Sequence, residues 1–344
     1  MMSAMKTVKF GCRLLKAKIL RRNIPFVVQF SVTNRCNYKC RYCYAKYYER
    51  KTAELDLRQI FKMVDDLCRI GTVRINLVGG EPLLRKDIGE IIDYITGKGI
   101  ECAMTSNGSL VREKINDIRK LDLLCLSLDG DKAANDYNRH AGSYDKVMEA
   151  IDSALERGIK VQIATVLTKE SIPSIDFLVN LANKKKIKIA FTTPITQASE
   201  GGSKAISNIP SDRDLKAAIK KIISLKRMKN PILFSYKPYK FALDWPIGYD
   251  IDKIIGKKPG FKFPKCYAGK YWGIIDVNGD VYPCPALVGV VKPHNCIEKG
   301  FKEAWREVSK HACFTCHLPC NNEFNYLFAL DPETIIDTCR HNGK

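Results

Sequence analysis

The sequence predicts an α/β fold, a partial (β/α)6 barrel of TIM type followed by a smaller, cysteine-rich C-terminal domain. Three observations predict it. Short β-rich runs alternate with helical segments from about residue 25 to Pro231, the pattern of βα units around a parallel sheet. The runs number six, which fits an open barrel better than a closed eight-fold one. After Pro231 the texture changes, and aromatics, prolines, glycines and cysteines dominate from Phe234 to Cys320, as in a loop-rich unit stapled by metal rather than by a large core.

Residues 1–22 carry Lys6, Lys9, Arg13, Lys16, Lys18, Arg21 and Arg22 with no acidic residue, while Met5, Val8, Cys12, Leu15 and Ile19 recur at helical spacing. This predicts a basic amphipathic helix that Pro25 ends. Strands are predicted at 27–32, 74–78, 101–105, 123–128, 160–166 and 188–192. Helices are predicted near 56–69, 86–97, 111–119, 143–157, 173–184 and 211–229. The expected division is a basic segment, 1–24, the barrel, 25–231, and an extension, 232–344.

The chain of 344 residues is 45% apolar, enough for one large domain and a smaller one. Its 57 basic and 37 acidic residues leave a formal charge of +20, which favours partners bearing negative charge: nucleic acid, anionic lipid or phosphorylated small molecules. The fourteen cysteines are clustered, and neither a signal-peptide h-region nor an apolar run of roughly 18 residues is present. A reducing cytoplasm, where clustered thiols bind metal, is expected, with peripheral contact at the inner face of a membrane left open.

The chemistry collects at the predicted strand ends, where the loops of a parallel barrel converge on one mouth. The first strand runs into "SVTNRCNYKCRYCY", with Cys36, Cys40 and Cys43 at C-x3-C-x2-C spacing. Three thiols, one short of a closed zinc site or a fully ligated cluster, suggest a metal centre with one open position. The second strand ends in "GGEP" (Gly79, Gly80, Glu81), the third in "TSNG" (Ser106, Asn107), and the fourth in "SLDG" (Ser127, Asp129).

This ordered set resembles the radical S-adenosylmethionine (SAM) superfamily over about residues 27–195. The resemblance implies a [4Fe–4S] cluster on Cys36, Cys40 and Cys43, whose remaining iron is chelated by the amino and carboxylate groups of SAM. The missing thiol would then be the cosubstrate. Tyr42 matches the family's aromatic position and would lie near the adenine. Gly79 and Gly80 allow backbone to approach a ligand, and Glu81 would accept from the SAM ammonium. Ser127 and Asp129 suit ribose hydroxyls, Ser106 and Asn107 the methionine carboxylate or the ribose, and Arg139 a carboxylate. For these residues the plainer readings are turn formation, a helix N-terminal charge and a surface cation.

Further on, Cys266 and Cys284 stand at C-x12-G-x4-C spacing, with "IIDVNGDVYPC" predicting a β-hairpin on its Asn-Gly turn. Cys313, Cys316 and Cys320 follow, and then Cys339. The pattern resembles the SPASM and Twitch extensions, which bind auxiliary [4Fe–4S] clusters, but its tail is C-x2-C-x3-C, and six thiols fall short of the eight that two clusters need. One auxiliary cluster is expected, on Cys266, Cys284 and two of Cys313, Cys316 and Cys320, against a zinc ribbon as the alternative. Cys68, Cys102 and Cys125 read as small buried hydrophobes, Cys12 and Cys296 have no assigned role, and His294, His311 and His317 read as structural.

The expected reaction is reductive cleavage of SAM to a 5′-deoxyadenosyl radical that takes hydrogen from an unactivated carbon, leading to oxidation or bond formation. The substrate is an unidentified organic molecule, with a lipid or another hydrophobic or anionic compound favoured by the basic N-terminal segment. A reducing donor such as a flavodoxin or ferredoxin is implied. The alternatives are maturation of a ribosomally made peptide and, outside enzymes, a zinc-stabilised RNA-binding protein. Only 35 residues precede Cys36, so no leader-binding domain is expected ahead of the barrel, and no accessory nucleic-acid module is recognisable.

Overall fold

The computed structural model describes residues 4–196 and 208–342, with side chains from 10 to 338 within that range. Six parallel strands form the barrel wall: β1 (Val27–Thr33), β2 (Arg74–Gly79), β3 (Glu101–Ser106), β4 (Leu123–Ser127), β5 (Val161–Val166) and β6 (Lys188–Thr192). They lie side by side in chain order, with register pairs such as Val28↔Ile75 and Ile163↔Ile189. Alternate residues, among them Val28, Phe30, Leu77, Met104, Leu126 and Phe191, point to the helical layer and are fully buried there. Opposite parity leaves Gln29, Asn76, Thr105, Ser127, Gln162 and Thr192 on the concave face, partly accessible.

The preceding and covering helices are α1 (Ala4–Ile19), α2 (Leu57–Ile70), α3 (Ile88–Gly97), α4 (Lys132–Asn138), α5 (Ser143–Glu156), α6 (Ile175–Lys185) and α7 (Asp212–Arg227). α2 shows why they form. Asp56 caps it through the Gln59 amide in a reciprocal capping box, Gly71 ends it at φ 106°, and Ile60, Met63, Val64 and Leu67 form one buried stripe. Each such side chain contributes about 1.5–3 kcal/mol by leaving water.

Two local expectations are corrected. The stretch predicted as a helix at 111–119 is a succession of turns. Val111 and Ile118 are buried as the pattern required, but the backbone bonds alternate between three- and four-residue closures (Val111 to Gly108, Lys114 to Leu110, Asp117 to Lys114), and Asn116 and Asp117 favour turns over helix interior. α1 ends well before Pro25, because Arg21 adopts a left-handed φ of 49°. Its inner face, Phe10, Leu14 and Ala17, packs on Phe26, Tyr271 and Phe328, while Leu15 and Ile19 are 50% and 70% exposed. The side chains of Met5 and Val8 lie outside the described residues.

The extension comprises α8 (Tyr236–Leu243), β7 (Lys253–Ile255), β8 (Trp272–Ile275), β9 (Asp280–Tyr282), β10 (His294–Asn295), α9 (Cys296–Lys299), α10 (Phe301–Val308), β11 (Cys313–Cys316), α11 (Pro319–Ala329) and α12 (Pro332–Asn342). The predicted hairpin is β8–β9, turning at Gly279 with φ 86°. It does not stand apart from the barrel. β8 pairs in parallel with β1, from Val27↔Trp272 to Phe30↔Ile275, so the main sheet runs β10-β9-β8-β1-β2-β3-β4-β5-β6. β7 and β11 form a separate antiparallel pair.

Candidate active site

The loop after β1 carries Cys36, Cys40 and Cys43 and is held from several sides. Glu54 accepts from Thr33 Oγ1 at 2.6 Å and from the Asn34 amide at 2.7 Å. Asn138 O accepts from the Arg41 amide at 2.9 Å. Burial pushes the Cys36 thiol up to about 12 and Cys40 to about 11, and each thiol feels the other two or Cys43 in the same direction. Cys43 is also raised by burial, against amide donors from Lys46, Ala45 and Tyr47 that favour its thiolate. Three crowded, partly buried thiols of this kind ionise when a cation compensates them, which suits a cluster whose irons each take one thiolate.

The glycine pair serves this loop directly. A Cβ on Gly79 would stand 2.5 Å from the Thr33 carbonyl oxygen, and one on Gly80 would overlap the Arg35 carbonyl. The Gly80 and Glu81 amides donate to Thr33 O and Arg35 O, both at 2.8 Å. The close approach that the pair allows is therefore made by the cysteine loop itself. Glu81 is fully buried and accepts from Ser106 Oγ at 2.8 Å, the Asn107 amide at 2.8 Å and the Leu83 amide at 3.2 Å. Burial raises its carboxyl to about 7, opposed by those three donors. Glu81, Ser106 and Asn107, expected as separate ligand contacts, are brought together as one tie between the ends of β2 and β3. The Asn107 side chain continues to Asn37 of the cysteine loop at 2.9 Å.

A second tie lies across the mouth. Arg139 Nε stands 2.7 Å from Asp129 Oδ2, off the hydrogen-bonding line, and its Nη2 donates to Oδ1 at 3.2 Å. Tyr42 donates its hydroxyl to Asp129 Oδ2 at 2.5 Å, and the Val166 amide to Oδ1 at 3.1 Å. The guanidinium also lies 5.5 Å from the Tyr42 ring centre. Arg139 does anchor a carboxylate, and that carboxylate is Asp129. Burial, with Asp129 adding to it, holds the Tyr42 phenol well above its usual range. Ser127 sits at the end of β4, partly accessible on the concave face.

In the extension, Cys266, Cys284, Cys313 and Cys316 line a single small cavity. Cys320 does not line it; its Sγ lies 3.6 Å from Thr192 Oγ1 at the end of β6 and 3.6 Å from Asn321 Oδ1. The Cys339 side chain lies outside the described residues. Burial raises Cys313 to about 12 and Cys284 and Cys316 well above the ordinary thiol range, with the neighbouring thiols adding to it. Among the described residues no set of three His, Cys, Asp or Glu closes around a single ion.

Two residues that the sequence did not single out connect these regions. Tyr44 packs on Val277 at the hairpin turn, and Arg50 pairs with Asp276 at 2.7 Å. Both are ordinary loop residues in the sequence, visible only once β8 is seen beside β1. Cys102 and Cys125 are both buried as expected, Cys102 in the core and Cys125 on the concave side of the sheet beside Gln162 and Thr105. Cys68 is only partly buried. Cys296 acquires a structural place, its thiol 2.8 Å from Gly279 O. His311 bonds Ala268 O, and His317 bonds Thr193 Oγ1.

Residues 30–182 match the model of the Radical SAM superfamily. Fe-coproporphyrin III synthase of Methanosarcina barkeri is 30% identical over 206 residues, 58% of this chain and 51% of that protein, so the chain spans about half its length. Mycofactocin maturase MftC of Mycobacterium tuberculosis is 25% identical over 292 residues, 83% of this chain and 71% of that protein. The structure of Streptococcus suis SuiB bound to precursor peptide SuiA shares the fold with a TM-score of 0.66 at 20% identity, over 89% of this chain and 70% of that one. The cysteine loop and the strand-end ties agree with these likenesses, and residues 30–182 form a domain of the radical SAM superfamily, a superfamily of enzymes that use SAM and a [4Fe–4S] cluster.

Proposed function

We propose that the chain oxidises or couples an unactivated carbon, using a SAM-binding cluster on Cys36, Cys40 and Cys43 and one auxiliary [4Fe–4S] cluster on Cys266, Cys284, Cys313 and Cys316. Cys36, Cys40 and Cys43 would hold the first cluster, which would supply the one-electron reduction that cleaves SAM to a hydrogen-abstracting radical; a flavodoxin or ferredoxin would supply the electron. The observation that carries the reading is the four-thiol cavity packed beside β1, the strand that leads into the first cysteine loop. Cys320 is then the spare cysteine.

The chain's own residues would bind and orient. Gly79 and Gly80 fix the loop, the Glu81–Ser106–Asn107 tie sets the floor for the methionine end of SAM, and Ser127 offers a hydroxyl to the ribose. Tyr42, pinned by Asp129 and Arg139, holds its ring against the cysteine loop beside the adenine. The concave face supplies Gln29, Asn76, Thr105, Gln162 and Thr192, neutral groups that suit a hydrogen-bonding substrate better than a bare hydrocarbon tail. Together with a maturase likeness that reaches through the extension, this favours a peptide as substrate. The test is iron and spectroscopy on anaerobically reconstituted protein. Native chain is expected to hold about eight irons and C266A/C313A about four; equal iron in both, or zinc in the native chain, would sink the assignment.

The membrane reading keeps one specific observation. Leu15 and Ile19 are exposed on α1 beside Lys16, Arg21 and Arg22, an apolar stripe with a cationic rim that fits anionic bilayers. Among the described residues no helix is long and apolar enough to cross a membrane. Binding to phosphatidylserine vesicles should fall at least tenfold in L15Q/I19Q. Unchanged sedimentation with such vesicles would remove the membrane from the account.

A further inference from the structure

The four-thiol cavity has a wall that is not sulfur. Trp272 and Thr315 line it, 2% and 1% exposed, and the Trp272 Nε1 and Thr315 Oγ1 atoms are buried without a hydrogen-bond partner among the described residues. Asn321 Nδ2 points its hydrogen at Cys316 Sγ, 3.7 Å away. Lys253, 3% exposed, also lines the cavity, whereas its partner Asp252, 3.0 Å from Nζ, does not. A buried donor left unpaired costs about 1–3 kcal/mol. Two unpaired donors around one cavity therefore call for a guest that accepts hydrogen bonds, and Lys253, paired with Asp252, adds a cation to the same wall. The sulfides and thiolates of a [4Fe–4S] group accept such bonds.

Such neighbours do more than hold a cluster. Reduction adds one negative charge, and donors and cations close to the sulfurs stabilise the reduced form more than the oxidised one. We propose that Lys253, Thr315 and Trp272 form a donor shell that raises the reduction potential of the auxiliary cluster and so poises it to accept an electron. The proposal rests on the assignment of that cluster to Cys266, Cys284, Cys313 and Cys316. It assigns these three residues no contact with substrate; they act through the cluster.

The test isolates the auxiliary cluster in full-length C36A/C40A/C43A protein and follows its reduced-state signal in an anaerobic redox titration. On this background K253M is expected to lower the midpoint so that the reduced-to-oxidised ratio at fixed potential falls about tenfold, which is about 59 mV for one electron. T315V, which keeps shape and removes a donor, and W272F, which removes the indole donor with a smaller ring, should shift it the same way by less. K253M leaves Asp252 buried without its partner, so T315V and W272F carry the test if K253M does not fold. A midpoint unmoved in these two, with the cluster signal intact, overturns the donor shell. A background protein with no cluster signal overturns the cavity assignment itself, and the proposal with it.

Discussion

Replacing Cys36, Cys40 and Cys43 together by alanine is expected to abolish formation of 5′-deoxyadenosine from SAM and to remove about four irons per chain. The measurement is product quantification from anaerobically reconstituted, reduced protein, with iron determined on the same sample. The three side chains sit in a loop that Glu54, Asn138 and the Gly80 and Glu81 amides hold by other contacts, so the variant should keep its secondary structure and its second cluster. Loss of product with the fold retained separates a chemical role from a structural one. Product at native levels from the variant would mean that these thiols do not hold the reacting centre.

Arg139→Met should be the most destabilising single change at the mouth. Asp129 is fully buried, and Arg139 is the cation that compensates it. Removing one partner of a buried pair typically costs about 3–5 kcal/mol, because the remaining charge stays uncompensated. Tyr42 and the Val166 amide would still donate to Asp129, which keeps the loss from being larger. Denaturant melts of R139M read the change, and R139M/D129N, which also removes the stranded charge, should recover most of it. A loss below about 1 kcal/mol in R139M would place the pair with ordinary exposed ion pairs.

The barrel was legible from periodicity. All six strands fall where β-rich runs stand, and α2 and α5 match to within a residue or two, since long, one-sided burial leaves a strong pattern. The segment at 111–119 shows the limit: Val111 and Ile118 follow a helical spacing, but the turn-forming residues between them decide the backbone. The pairing of β8 with β1 was hidden for another reason. Four residues, Trp272–Ile275, are too short to show a period, and their place beside β1 is set by tertiary packing. The site was legible in composition and not in connection. Glu81, Ser106, Asn107, Tyr42, Asp129 and Arg139 were all singled out as ligand-facing, yet much of their hydrogen bonding is with one another, and the sequence holds no signal for that pairing. The choice among Cys313, Cys316 and Cys320 likewise needed a cavity.

The pairing of β8 with β1 joins the beginning of the barrel to a segment made near the end of the chain. During synthesis the barrel helices can pack as they emerge, but the outer edge of β1 stays without a neighbour until Trp272–Ile275 has left the ribosome. An unpaired strand edge invites pairing with other chains, and here that edge leads straight into the oxygen-sensitive cysteine loop. Sealing that edge is a long-range step, because the two strands are separated by most of the chain.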